Sequence, residues 1–257
     1  MIENYIGITG ITRCVQVEKT LELFNHFGFS MDSEHVPMLG FLISPRNLNQ
    51  DWYSSMYPKA SQFKPLLKSA AGRAFNTLHI DSKAHLDWDI ALETLVKELD
   101  LVDLVDGFQI NVKHPELNKL TRLRKVFPHK KIILQYSNDF LELKPRIAYK
   151  QIKPYSKLID YVLMDPSRGR GLGLDTLIAC NHYRVLKNNF NLGIGFAGGF
   201  NPDNIWNYLD TIIGEIGTKC FSTDIESGLR GAEDNYKVSK AGFYLKNVRK
   251  RLNSELA

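Results

Sequence analysis

Leu192-Gly193-Ile194-Gly195-Phe196-Ala197-Gly198-Gly199-Phe200-Asn201-Pro202-Asp203-Asn204 passes from an apolar strand through a glycine turn into the start of a helix. The run Leu192–Ala197 is strand-sized, and Pro202 suits a first helical turn, where its missing N–H costs nothing. The same order recurs in both directions along the chain. Strands are expected at Tyr5–Thr9, Met38–Ile43, Asn76–Ile80, Gly107–Asn111, Lys131–Gln135, Tyr161–Met164 and Lys219–Thr223, which with Leu192–Ala197 makes eight. Apolar residues at helical spacing mark Val15–His26, Phe63–Ala71, Ile90–Glu98, Glu116–Val126, Leu141–Leu158, Asp175–Asn188, Pro202–Glu215 and Val238–Leu252.

Strands alternating with helices imply βαβ units and a parallel sheet. Eight units in 257 residues fit an α/β fold, a closed (β/α)8 TIM barrel, as one domain over residues 1–257. An open doubly wound sheet would show G-x-G-x-x-G after its first strand, and Thr9-Gly10-Ile11-Thr12-Arg13 does not fit that pattern. The long connections Gly28–Pro37 and Arg46–Pro58 are expected to shape the mouth of the site.

A composition of 44% hydrophobic and 24% charged residues is that of an ordinary globular chain, which excludes disordered, collagen-like and disulfide-stapled classes. Cys14, Cys180 and Cys220 lie far apart without a C-x-x-C pair and read as reduced thiols. The apolar runs fall far short of the ~20 residues that span a bilayer, and Met1–Tyr5 has no basic leader region. A cytoplasmic protein with no membrane association is the expectation. The net charge of +5 suits a phosphorylated or carboxylated small-molecule substrate and is too small and dispersed for nucleic acid.

In a barrel the reacting groups come from strand C-termini and the loops after them. In chain order that rim carries Thr9 and Arg13, Arg46, His79 and Asp81, Asn111, Lys113 and His114, Gln135 and Ser137, and Asp165, Arg168 and Arg170. It ends with Gly198, Gly199 and Asn201, then Asp224, Ser227, Gly228 and Arg230. Two glycines between a strand and a helix start let backbone N–H groups approach an anion, and Ser227-Gly228 offers the same. Phosphate between loops seven and eight is the expectation; a plain tight turn is the alternative. Asp165 is a candidate general acid or base, or a structural partner of Arg168 or Arg170. Arg46 reads as a carboxylate clamp or a solvated loop arginine. His79 and Asp81 share one strand face, so either is a candidate base. His, Asp and Glu do not recur at ligand spacing, so no metal is expected.

Five blocks together resemble the phosphoribosylanthranilate isomerase family of tryptophan biosynthesis, in register over most of the chain. They are Ile6-Gly7-Ile8-Thr9-Gly10-Ile11-Thr12, Gly40-Phe41-Leu42-Ile43-Ser44-Pro45-Arg46, Tyr161-Val162-Leu163-Met164-Asp165, Ala197-Gly198-Gly199-Phe200-Asn201-Pro202-Asp203-Asn204 and Asp224-Ile225-Glu226-Ser227-Gly228-Leu229. The resemblance implies an acid–base Amadori rearrangement of a phosphoribosyl amine. Asp165 then matches the general acid, Arg46 the contact to the anthranilate part, and Gly198–Gly199 with Ser227–Gly228 the phosphate turns. The family's first-strand cysteine base is Thr9 here, and a hydroxyl does not ionise at neutral pH as a thiol does. The fourth strand, Gln109-Ile110-Asn111-Val112-Lys113-His114, and the sixth loop also depart from the family.

The reading is therefore an isomerase-like enzyme on a phosphorylated sugar, with Asp165, Thr9 and Asp81 at the catalytic positions. Arg46, Gly198, Gly199, Asn201, Asp224, Ser227 and Gly228 would bind the substrate. No cofactor is implied, and the protein would be a monomer or a homodimer. The alternatives are a phospho-ligand-binding barrel that has lost catalysis, or a lyase or aldolase on a phosphorylated substrate.

Overall fold

Each apolar strand is followed by a helix long enough to carry the chain back to the starting edge, so consecutive strands pair in parallel. The computed structural model describes residues 3–48, 52–81, 87–137, 141–167 and 171–255. The strands are β1 (Asn4–Thr9), β2 (His35–Ile43), β3 (Phe75–Asp81), β4 (Gly107–Asn111), β5 (Lys131–Tyr136), β6 (Tyr161–Met164), β7 (Gly193–Phe196) and β8 (Ser222–Ile225). The helices between and after them are α1 (Cys14–His26), α2 (Ala60–Ala70), α3 (Trp88–Glu98), α4 (Leu117–Val126), α5 (Pro145–Ile152), α6 (Thr176–Asn189), α7 (Ile205–Ile216) and α8 (Val238–Asn253). The sheet closes in sequence order, β8 returning to β1 through Ile6↔Thr223, Gly7↔Asp224 and Ile8↔Ile225. The chain is a single-domain (β/α)8 barrel.

Strand alternation sorts the side chains into two cores. Outward residues such as Ile6, Ile8, Leu39, Phe41, Leu78 and Ile80 are buried in the large cluster that includes the helices' apolar faces. Full burial of one such side chain is worth about 1.5–3 kcal/mol. A separate cluster, which includes Tyr5, Met38, Phe75, Ile133, Tyr161 and Leu163, fills the barrel. Toward the strand C-termini the buried interior turns polar, with Thr9, His79, Gln109, Gln135, Asp165 and Asp224.

Four sequence expectations are corrected. β8 is Ser222–Ile225 rather than Lys219–Thr223, because the Phe221 N–H closes a tight turn onto Lys219 O at 2.9 Å and the strand starts after it. Asp224 consequently lies inside the strand. The helix expected over Leu141–Leu158 is broken: Leu141 is helical, residues 142–144 are not, and an α-helix runs from Pro145 to Ile152, followed by a 3-10 turn at Lys153–Tyr155. Pro145 suits a first turn, and Pro154 has no N–H for the helical ladder. α7 begins at Ile205 rather than Pro202, since the Asn201 amide oxygen accepts from the Asp203 and Asn204 N–H groups and holds a turn there. Finally, the stretch from Gly28 joins α1 to β2, so it lies at the strand N-termini, opposite the mouth, and Pro37 is part of β2.

Candidate active site

The polar upper layer opens into a cleft at the strand C-termini, with His79, Gln109, Gln135, Asp165, Gly199, Asp224 and Ser227 on its wall. Asp165 follows β6 directly and is buried. Its Oδ1 accepts from the Ser167 backbone N–H at 2.8 Å and the Ser167 hydroxyl at 2.7 Å, and its Oδ2 accepts from the Gln135 amide. Three donors from two elements fix the carboxyl group in one orientation.

Asp224 comes from β8, two strands away, and reaches the same cleft. Thr9 Oγ1 donates to Asp224 Oδ1 at 2.9 Å. His79 Nδ1 stands 3.4 Å from that hydroxyl, and His79 Nε2 is 2.9 Å from Thr77 Oγ1. Glycine makes this crowding possible. A Cβ at Gly40 would stand 2.6 Å from the His79 ring and collide with Thr9 Oγ1, and a Cβ at Gly7 would stand 2.7 Å from Asp224 Oδ1. Burial pushes the Asp224 carboxyl up to about 6; Asp165 pushes the same way, while hydrogen bonds from Thr9, Gln109 and the Ile225 backbone pull back. Burial pushes His79 down to about 3, so the ring is neutral. A carboxyl group poised near neutral pH beside a second carboxyl group is equipped for proton transfer.

Loops seven and eight pack directly on each other. Gly198 and Gly199 have φ of +104° and +66°, a region that L side chains seldom occupy. A Cβ at Gly199 would stand 2.8 Å from Gly173 Cα, and one at Gly228 would collide with Phe200 O. Ser227 opens a short 3-10 turn, Ser227–Leu229, on the cleft wall.

The structure brings together Asp165, Asp224, Thr9, His79, Gly198, Gly199 and Ser227. Asn201 and Gly228 lie beside a separate surface hollow behind these loops; Asn201 holds its own turn, and Gly228 permits the loop contact. Arg46 is exposed at the mouth in the 3-10 turn Pro45–Leu48, its guanidinium 5.8 Å from the Trp52 ring centre. Asp81 ends β3, but its side chain lies outside the described residues, as do Arg168 and Arg170. Lys113 and His114 are exposed, and Cys14 is the first residue of α1. Among the described residues no helix is long and apolar enough to cross a membrane, and no three His, Cys, Asp or Glu side chains group as metal ligands. The reading of the residues gave no part to Gln109 or Ser167. The available signal was a polar residue at an inward position of an otherwise apolar strand, as in Phe108-Gln109-Ile110.

Solved phosphoribosyl anthranilate isomerases share this architecture at low identity. The protein from Thermus thermophilus is similar with a TM-score of 0.66 at 13% identity, over 96% of this chain and 98% of its own. A phosphoribosyl anthranilate isomerase in complex with reduced 1-(o-carboxyphenylamino)-1-deoxyribulose 5-phosphate gives 0.64 at 13% identity, over 96% and 99%. A Rubisco-like protein from Rhodopseudomonas palustris gives 0.57 at 10% identity, over 99% of this chain and 66% of its own. No family model matches the sequence, and no curated protein does. At these identities the likeness establishes the fold.

Proposed function

We propose that this barrel is an isomerase of a phosphorylated sugar amine, phosphoribosylanthranilate or a related phosphoribosyl amine, working by an acid–base Amadori rearrangement. The observation that carries the reading is the buried Asp165, fixed by Gln135 and Ser167 on the wall of a cleft that also holds Gly199 and Ser227. In this reading Asp165 gives a proton to the ring oxygen, the C1–O bond breaks, and the amine nitrogen's lone pair forms the C1=N bond. The three hydrogen bonds to Asp165 stabilise the carboxylate that remains. Loops seven and eight hold the phosphate, and Arg46 meets the outer, carboxylate-bearing part of the substrate. The five blocks that resemble the isomerase family, and the phosphorylated product analogue bound by one structural neighbour, support the assignment.

A second reading, a phospho-ligand-binding barrel without turnover, is favoured by one observation: the first strand ends in a threonine hydroxyl where the resemblance implies a thiol. Loss of phosphoribosylanthranilate fluorescence, followed alongside binding of the reduced aminoribulose-phosphate analogue, separates the two. Turnover by the wild type supports the isomerase. Asp165→Asn should then lower kcat by about 10²–10⁴ while the analogue still binds. Tight binding without turnover supports the second reading, and neither activity overturns both.

A further inference from the structure

After the ring opens, an Amadori rearrangement needs a base at C2, and Thr9 does not supply one. We propose that the Asp224 carboxylate removes the C2 proton, with Thr9 as its positioning residue; this inference rests on the isomerase reading above. Asp224 is on the cleft wall, and Thr9 Oγ1–H donates to its Oδ1 at 2.9 Å. The hydroxyl that stands in for the implied thiol thus binds the carboxylate of the neighbouring strand. Gly7, paired with Asp224 in the register, leaves the space that this carboxylate occupies.

Gln109 strengthens the assignment. It donates a hydrogen bond to Asp224, while its own Oε1 is buried and has no partner among the described residues. An unfilled acceptor beside the cleft suits a sugar hydroxyl, which would bring the reacting carbon against Asp224. The other candidate, His79, has its two ring nitrogens beside Thr9 and Thr77 and is pushed down to about 3, too weakly basic for the task.

The step balances without an oxidant or a further reactant. Asp224 takes the C2 proton, the C–H electrons form C1=C2, and the C1=N pair returns to nitrogen. The resulting enolamine loses its C2-hydroxyl proton and gains one at C1, leaving a ketone at C2.

Among the described residues, the groups that bear on the Asp224 charge are Thr9 and Tyr5 from β1, Gln109 from β4, Asp165 following β6 and Tyr244 from α8, with neutral His79 of β3 next to Thr9. None of them is a cation. With its carboxyl at about 6, Asp224 is an available base at neutral pH and a stronger one than an ordinary aspartate.

The experiment is the pH dependence of kcat/KM and kcat, from pH 4.5 to 9, for the wild type, Asp224→Asn and Thr9→Val with phosphoribosylanthranilate. The wild-type kcat/KM, which reports the free enzyme, should fall about tenfold per pH unit below an apparent pKa near 6. Asp224→Asn should lose about 10²–10⁴ in kcat with KM within about threefold. Thr9→Val removes a hydrogen bond that favours the carboxylate, so the acid limb should move to higher pH. That shift carries the test if Asp224→Asn does not fold. An Asp224→Asn protein with kcat within about threefold of wild type, or an unmoved limb in Thr9→Val, overturns Asp224 as the base and leaves the isomerase reading standing. A wild type without turnover overturns that reading and this inference with it.

Discussion

Asp224 is buried with its carboxyl raised from 3.8 to about 6, so folding favours its protonated form. Below pH 3.8 the group is protonated in both the folded and unfolded chain, and its contribution to stability is fully present. That contribution is lost as pH rises through 6, where the folded protein must bury a charge at a cost of about 3 kcal/mol. Asp224→Asn keeps the shape and removes the charge. It should therefore raise unfolding stability by about 2–3 kcal/mol at pH 8 and by progressively less toward pH 4, even as it lowers kcat. Urea midpoints at pH 4.5 and 8 measure this, and the same difference between the two proteins at both values would show that the charge costs nothing. Asp165 and Asp224 were both legible as rim carboxylates from their positions after apolar runs. The tie between Thr9 and Asp224 was not, because 215 residues separate them and only barrel closure makes them neighbours.

Elements were legible where periodicity was strong. Gly107–Asn111 and Tyr161–Met164 were expected with the ends that the structure has, and the last helix differs by one residue. Errors fell where side chains and prolines override periodicity: the asparagine turn before α7, the two prolines around α5, and the turn that delays β8. Loops seven and eight act as one unit because Gly228 has no side chain. Gly228→Ala should force the loops apart, since its Cβ would collide with Phe200 O. We expect at least a tenfold loss in affinity for the phosphorylated product analogue, roughly the value of one charge-assisted hydrogen bond. The free energy of unfolding should drop by about 1–3 kcal/mol. Unchanged analogue affinity, measured by titration, would remove these loops from the binding site.

For the molecule as a whole, closure is the property that matters. Every strand in the ring has two partners, β1 being paired with both β2 and β8. A chain ending at residue 217 would lack β8 and α8 and leave β1 and β7 with open edges. It should lose the single sharp urea transition expected of the full chain and associate at micromolar concentration, which light scattering and circular dichroism would record. A soluble, cooperatively unfolding fragment would show that closure is dispensable.

Residue order alone carries the alternation of strands and helices, and with eight repeats the barrel, because period-two and period-3.6 patterns are local. It also placed Asp165 and the glycine turns at strand C-termini, because in this fold chain order dictates which end of the ring a loop occupies. The tertiary structure alone decided which rim groups share a cleft and which carboxyl group rises toward neutral pH. Desolvation and charge–charge coupling depend on distances across the ring, between β1, β4, β6 and β8, that no local pattern encodes.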